Sequence, residues 1–321
     1  MATTIYDVAR QAGVSPATVS RVFNRRPNVS ESVRDAVFET ARKLGYAPQQ
    51  SASRDCFAIV MEPDTNPGLT GYQELLLRSL NRQAYALGHR IELVALSDMP
   101  TLTTRTYRGV IGTVYHPDDV RTFSRVSRAF SAPAVLINSQ ARGLSSVCSD
   151  ERAGMELALD TLAANGHRVI AHIGHHNGAW CSDERAEALD RLSAEHGVRV
   201  SHIDVGEENV LEGVTAALDP SVTAMLVTGE GLGHRVLHLL RKLRLQPGTD
   251  VSVLAHEMPG ISEFCEPPLT TIEQDFDQLT ATALELLESD RVRKRLVDYR
   301  LHERESVAPP QLTAATPARR V

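Results

Sequence analysis

The run Ser15-Pro16-Ala17-Thr18-Val19-Ser20-Arg21, near the start of this 321-residue chain, combines side chains suited to chemistry at a surface. Its hydroxyls can bond phosphate oxygens, and Arg21 can bond a guanine edge through two donors at once. Ala17 and Ser20 are small enough to let a backbone approach a groove floor. A second concentration lies in His172, His175, His176, Trp180 and Arg185, with His256 beyond. Imidazoles ligate metals, but no cysteine or carboxylate accompanies these histidines at motif spacing. They read as the polar lining of a cleft, with no metal expected. Trp180 sits in a loop and could stack on a ligand ring. No G-x-x-x-x-G-K-[ST], H-E-x-x-H or G-x-S-x-G string occurs, and Gly229-Glu230-Gly231-Leu232-Gly233 does not complete a dinucleotide fingerprint. An enzyme is therefore not expected, nor a cofactor.

The elements that must position the first group are legible in local signals. Thr4 and Asp7 form a capping box ahead of Ile5, Val8, Ala9 and Ala12, which recur at helical spacing. Gly13 stops that helix. Ser15 then caps a second helix with Pro16 at its first position. This helix buries Val19, Val22 and Phe23 and exposes Ala17, Thr18, Ser20, Arg21 and Asn24. Ser30 caps a third, carrying Val33, Ala36, Val37, Ala41 and Leu44 up to Gly45. Two short helices about a glycine turn, braced by a third, make a helix-turn-helix. Charge agrees: residues 1–50 carry net +3 within a chain of net −6, a basic head on an acidic body.

From Phe57 onward apolar strands alternate with helices. Phe57–Met61, Ile91–Leu96, Val110–Tyr115 and Ala134–Asn138 read as strands. Beyond Asp150 the rhythm restarts with Arg168–Gly174, Val198–Asp204, Ala224–Thr228 and Val251–Ala255. Such alternation calls for parallel sheets covered by helices on both faces, here in two similar lobes with a ligand crevice between them. Cys56, Cys148, Cys181 and Cys265 form no C-x-x-C pair and read as free thiols in a reducing compartment. No apolar run reaches the ~18 residues of a membrane span, and the N-terminus lacks signal-peptide character, so a cytoplasmic protein is expected.

The segment from Thr4 to Asn24, continued by Pro27-Asn28-Val29-Ser30 and Leu44-Gly45-Tyr46-Ala47-Pro48, closely resembles the headpiece of the LacI/GalR family of bacterial repressors. By that resemblance Pro16, Ala17 and Arg21 fall on base-reading positions. Thr4, Tyr6, Ser15, Thr18, Ser20, Asn24, Ser30 and Tyr46 fall on positions for backbone contact or headpiece docking. The body echoes the family's regulatory core, a relative of periplasmic sugar-binding proteins, in Asp150-Glu151-Arg152-Ala153-Gly154 and Pro267-Pro268-Leu269-Thr270-Thr271-Ile272. Arg185 matches a family arginine that clamps the effector. The resemblance implies an α/β protein: an N-terminal helix-turn-helix headpiece plus a two-lobed periplasmic-binding-protein-like core with parallel sheets. It further implies a homodimer binding double-stranded palindromic operator DNA under a small-molecule effector.

Two departures qualify this expectation. Where many sugar-responsive members carry Asn-Asp, this chain has Gly229-Glu230, and where they carry Gly-Phe-Asp-Asp it has Leu254-Ala255-His256-Glu257. Glycine cannot bond a hydroxyl, and His or Glu does so at a different reach. The expected effector is therefore not a simple sugar, with Arg185, Trp180, Glu230, His256 and His175 as its candidate contacts. The alternative is a core that has lost its effector and answers to a protein partner or to abundance. The connection from Ala47 to Cys56 is shorter than the family's hinge and places Asp55 where a leucine wedge would lie, with Arg54 left to reach a minor groove. Expected boundaries are a headpiece at 1–48, a linker without a typical hinge helix at 49–56, the two-lobed core at 57–307 and a disordered tail at 308–321.

Overall fold

The computed structural model describes residues 4–23, 29–44, 46, 55–62, 71–104, 107–130, 132–206, 208–229 and 231–310, without the side chains of Glu31, Arg42, Thr101, Thr103 and Thr104. The chain divides into two compact units, Met1–Arg54 and Asp55–Val321. Asn24, Arg54, Glu230 and most of the linker lie outside the described residues.

The first unit is three helices, α1 (Ile5–Gln11), α2 (Pro16–Phe23) and α3 (Glu31–Lys43). The Asp7 carboxylate accepts from the Thr4 amide at 3.0 Å and from the Thr4 hydroxyl at 2.7 Å, so the expected box forms. Those bonds hold the Asp7 carboxyl below its ordinary value. Gly13 turns the chain at φ +68°, a conformation that strains residues with a Cβ. Ser15 Oγ then accepts from the Thr18 amide at 3.1 Å and starts α2. Val8, Ala9, Val19, Val22, Val37 and Ala41 form the buried centre. Phe23 closes it, edge-on to Phe38 and Tyr46 at 5.4 and 5.8 Å between centroids.

The second unit is two α/β lobes. In chain order its elements are β1 (Cys56–Met61), α4 (Gly71–Ala86), β2 (Arg90–Ala95), β3 (Gly109–Thr113), α5 (Pro117–Ser127), β4 (Ala134–Ile137) and β5 (Ser145–Ser149). There follow α6 (Glu151–Ala164), β6 (Val169–Gly174), α7 (Trp180–Glu195), β7 (Arg199–Asp204), α8 (Val210–Ala216), β8 (Ala224–Val227), α9 (Leu232–Lys242), β9 (Ser252–His256), β10 (Thr270–Gln274), α10 (Phe276–Leu287), β11 (Lys294–Val297) and β12 (Tyr299–His302). One sheet has the order β11-β5-β4-β3-β1-β2 and the other β12-β10-β9-β8-β6-β7. Every pairing is parallel except β10 with β12. Strands buried on both faces explain the apolar runs: Phe57–Val60, Ala224–Val227 and Val253–Ala255 are wholly inaccessible or nearly so.

The restart expected at Asp150 is the first of three passages between lobes. The chain returns after β10, so that α10 packs on Leu76, Leu80 and Ile137 of the first lobe, and it crosses again between β11 and β12. The lobes are thus not consecutive halves of the sequence. The first strand starts at Cys56, one residue before the expected Phe57. The tail boundary also shifts. The Ala308 amide donates to Ser252 Oγ, and the Ala308 carbonyl accepts from that hydroxyl and from His167 Nε2, at 3.0, 3.0 and 3.1 Å. These bonds anchor Ala308 to the second lobe, so only residues 311–321 of the expected tail fall outside the described chain.

Candidate DNA-reading face and effector cleft

Along α2, burying Val19 and Val22 turns Pro16, Ala17 and Arg21 outward, all exposed, with Thr18 and Ser20 half-buried beside them. Arg21 stands one turn from Ala17, so the one long cation rises from a face of small side chains. On α1, Tyr6 is exposed, and Thr4 is exposed at its cap. Ser30 is exposed ahead of α3, its hydroxyl 3.3 Å from that of Ser32. Tyr46 packs edge-on against Phe23 and so serves packing of the head. Small residues and one fork-shaped donor set on a helix flanked by hydroxyls make a face able to enter a major groove.

In the second unit, parallel strands bring their carboxyl ends to a common crevice. Gly229, past β8, has φ +127°, and a Cβ there would lie 3.2 Å from His175. His175 itself donates through Nδ1 to the Val205 carbonyl. The Gly229 amide donates to His256 Nδ1 at 3.3 Å, which leaves the His256 proton on Nε2. That buried Nε2 has no partner among the described residues. Burial, and then the charges of Arg185 and His172, push the His256 pKa well below the ordinary value, so the ring stays neutral. The hydroxyls of Ser139 and Ser149, past the end of β4 and at the end of β5, are also buried without a partner among the described residues. Buried polar atoms of this kind mark places where a ligand or water supplies the missing bond.

Arg185 is not free. Its Nε and Nη2 donate to the two carboxylate oxygens of Glu151 at 2.7 and 3.0 Å, and the side chains are 12% and 1% exposed. Burial alone would lower the Arg185 pKa, but the Glu151 charge overrides it and raises it well above the ordinary value. Tyr299 donates to Glu151 Oε2 at 2.8 Å, and Gln274 Nε2 donates to Tyr299 at 3.1 Å. Asn138 Nδ2 then donates to Gln274 at 3.0 Å and to the Tyr72 hydroxyl at 2.6 Å. This chain of bonds runs from α7 to α4 and joins the lobes. Gly154 serves it, because a Cβ there would come within 2.6 Å of the Tyr299 ring. Glu257 is also engaged: it accepts from Thr271 and, at 2.7 Å, from Arg304. Burial would raise its pKa, but these bonds outweigh burial and lower it.

Trp180 begins α7 rather than lying in the expected loop, because the helix starts at Trp180 itself. It borders a cavity of about 670 Å³ whose walls include Ser139, Arg121, Arg125, Arg128, Arg142 and Asp183. Arg121 pairs with Asp118, while no ion pair engages Arg125, Arg128 or Arg142 among the described residues. This cationic wall was not anticipated from sequence. Arg121 and Arg125 lie along α5 and Arg128 caps its end; Val120, Phe123 and Val126, which recur at helical spacing, are the signal that could have found this helix. Of the expected effector contacts, the structure brings Trp180 to the cavity, commits Arg185 to Glu151, ties His175 to Val205 and leaves His256 with an open donor. Glu230 lies outside the described residues.

Comparison with known proteins agrees with both units. Residues 4–49 match the family described as bacterial regulatory proteins, lacI family. Residues 159–307 match the periplasmic binding protein-like domain. The HTH-type transcriptional regulator GalR of Lacticaseibacillus casei is 26% identical over 309 residues, covering 89% of this chain and 92% of that protein. The Lac repressor dimer bound to operator and the anti-inducer ONPF superposes with a TM-score of 0.71 at 22% identity, over 96% of this chain and 100% of that one. The CelR–cellobiose complex superposes with a TM-score of 0.69 at 23% identity, over 95% and 99%. A helix-turn-helix head and a two-lobed periplasmic-binding-protein-like core define a DNA-binding transcriptional regulator. The head matches the lacI family and the core matches the periplasmic binding protein-like domain, and the chain is similar along most of its length to regulators of the LacI/GalR type.

Proposed function

We propose that this regulator is a repressor that binds a palindromic operator in the cytoplasm as a homodimer, and that its core answers to an anionic small molecule rather than a neutral sugar. Dimerisation is supported by exposed apolar side chains, Tyr85, Leu87 and Leu93 around α4 and β2 and Ile261 with Phe264 beyond β9. It also matches the twofold symmetry of a palindromic site. No helix among the described residues is long and apolar enough to cross a membrane.

The observation that carries the effector reading is the cavity walled by Arg121, Arg125, Arg128 and Arg142 with Trp180 at its edge. Guanidinium forks suit carboxylate and phosphate oxygens, and the indole offers a face for a ring. A neutral sugar would need short amide or carboxylate groups at the strand ends, where Gly229 has none and Glu257 is already bonded to Thr271 and Arg304. The same internal bonding of Arg185 and Glu257 favours a second reading, a core that binds no effector.

Thermal shift across sugar phosphates, carboxylates and neutral saccharides separates the two. An anionic compound is expected to raise the melting temperature and to change operator affinity, and both effects are expected to be lost in Arg125→Glu/Arg142→Glu. Release of DNA by a neutral mono- or disaccharide at micromolar concentration contradicts the proposal. No response to any compound selects the effector-free core.

A further inference from the structure

We infer that His172, His176 and His202 form a binding site for one divalent first-row transition metal ion of the Zn²⁺ class, on the edge of the second lobe and apart from the arginine-walled cavity. β6 and β7 are parallel neighbours, and His172 stands opposite His202 in their register. Partners in adjacent strands lie about 4.8 Å apart with side chains on the same face. His176 follows four residues after His172, in the turn beyond β6, and its amide donates to Asp204 Oδ1 at 2.9 Å. That bond folds the turn back toward the end of β7. The three rings consequently meet edge to face, with centroids 5.1, 5.6 and 5.7 Å apart. One ligand nitrogen from each ring lies within 4.8 Å of the other two.

The chemistry of each nitrogen fits ligation. His172 Nδ1 and His202 Nδ1 face each other at 2.9 Å, so one must carry a proton merely to keep the other company. The outer nitrogens are held by neighbours: His172 Nε2 lies 2.8 Å from Thr228 Oγ1, and His202 Nε2 lies 3.2 Å from Asp190 Oδ1. Thr228 can accept as well as donate. A shift of the His172 proton to Nε2 therefore frees both Nδ1 atoms at once. His176 Nε2 is buried and has no partner among the described residues. A carboxylate or hydroxyl behind each ligating imidazole is the usual outer support of a histidine metal site.

Geometry asks little. Tetrahedral bonds of about 2.0–2.1 Å to imidazole set the nitrogens roughly 3.3 Å apart. The Nδ1 pair must open by a few tenths of an ångström and His176 must close in. Asp190 and Asp204 supply two negative charges close to the rings. His202 retains 24% side-chain exposure, which leaves an entry path and a fourth position for water. Gly174 belongs to the design, since a Cβ there would lie 2.6 Å from Thr228 Oγ1 and 3.2 Å from His172 Nε2. Three neutral imidazoles without a thiolate or ligating carboxylate select a borderline cation over Mg²⁺ or Ca²⁺. Because the His176 turn leads through Gly178 to Trp180, an ion here would also stiffen the approach to the cavity.

The test uses the full-length protein without a histidine tag, stripped with chelator and titrated with ZnCl₂ against a chromophoric competitor. One ion per chain is expected, with micromolar or tighter affinity and a higher melting temperature. CoCl₂ is expected to give the visible absorption of tetrahedral Co²⁺. His176→Gln and His202→Gln are each expected to weaken binding at least tenfold, and Asp190→Asn tenfold to a hundredfold. His196→Gln, on a histidine outside the cluster, is expected to leave it unchanged. Absence of stoichiometric binding overturns the inference. So does binding that survives His176→Gln/His202→Gln in a variant whose circular dichroism matches the parent.

Discussion

Arg185 and Glu151 form a two-pronged ion pair, at 2.7 and 3.0 Å, that ties α7 to the first turn of α6 inside the second lobe. The arginine that family resemblance marks as an effector clamp is held by the protein itself. A pair so enclosed contributes little net stability relative to an apolar pair, yet breaking it strands a buried charge.

Arg185→Met and Glu151→Gln are therefore each expected to destabilise the core by about 3–5 kcal/mol, read as a lower denaturation midpoint. The double variant Arg185→Met/Glu151→Met is expected to recover part of that loss. Stability unchanged in Arg185→Met, with only ligand response lost, would return Arg185 to the role of clamp.

On α2, Arg21→Ala is expected to cost about 1–3 kcal/mol at the cognate operator and to relax specificity at one base pair. Tyr6→Ala is expected to weaken binding to cognate and scrambled DNA alike, because phosphate contacts position without specifying. Fluorescence anisotropy on both duplexes distinguishes them. Equal losses on the two duplexes for Arg21→Ala would remove it from base reading.

The connection between head and core carries a third expectation. The Asp55 carbonyl accepts the Arg90 amide at 2.9 Å, which fixes Asp55 beside β2 at the start of the core. A residue so placed, and acidic, is a poor wedge for a negative groove. The sequence Gln49-Gln50-Ser51-Ala52-Ser53 is also too short to repay helix nucleation. Operator DNA is therefore expected to be bent less than by relatives that insert a wedge. Gel phasing measures this, and a sharp central kink would contradict it.

Stability is expected to fall on acidification. Burial lowers the pKa of His256 well below the ordinary value and lowers that of His234. Their folded forms resist protonation, so the unfolded chain takes up more protons below about pH 6.5. This contribution is complete above the unfolded value and is lost as pH falls through it. His196 acts oppositely, its pKa raised first by the Leu192 carbonyl. Denaturation midpoints at pH 7.5 and 5.5 test the sign, and His256→Gln is expected to flatten the dependence.

The head was legible because its determinants are local: a capping box, Gly13 in its left-handed turn and Ser15 before Pro16 each act within four residues. Strands buried on both faces were legible as apolar runs. β5 was not, because Ser145, Ser146 and Ser149 hide a buried strand behind polar letters. The return of α10 and β11 to the first lobe depends on long-range packing that no window reveals. The site was legible only in part. Trp180 borders the cavity and His256 keeps a buried Nε2 without a partner among the described residues, but the partner of Arg185 lies 34 positions away and His202 lies 30 positions from His172. Only the pairing of β6 with β7 brings those histidines together.

The central claim, sequence-specific reading of DNA by a paired head, is tested most directly by footprinting the purified protein on its own genomic DNA. Protection of a site with two inverted half-sites is expected, abolished by Arg21→Ala at concentrations where non-specific binding persists. Uniform coverage without a preferred site, or a single unpaired half-site protected equally well by Arg21→Ala, would contradict it.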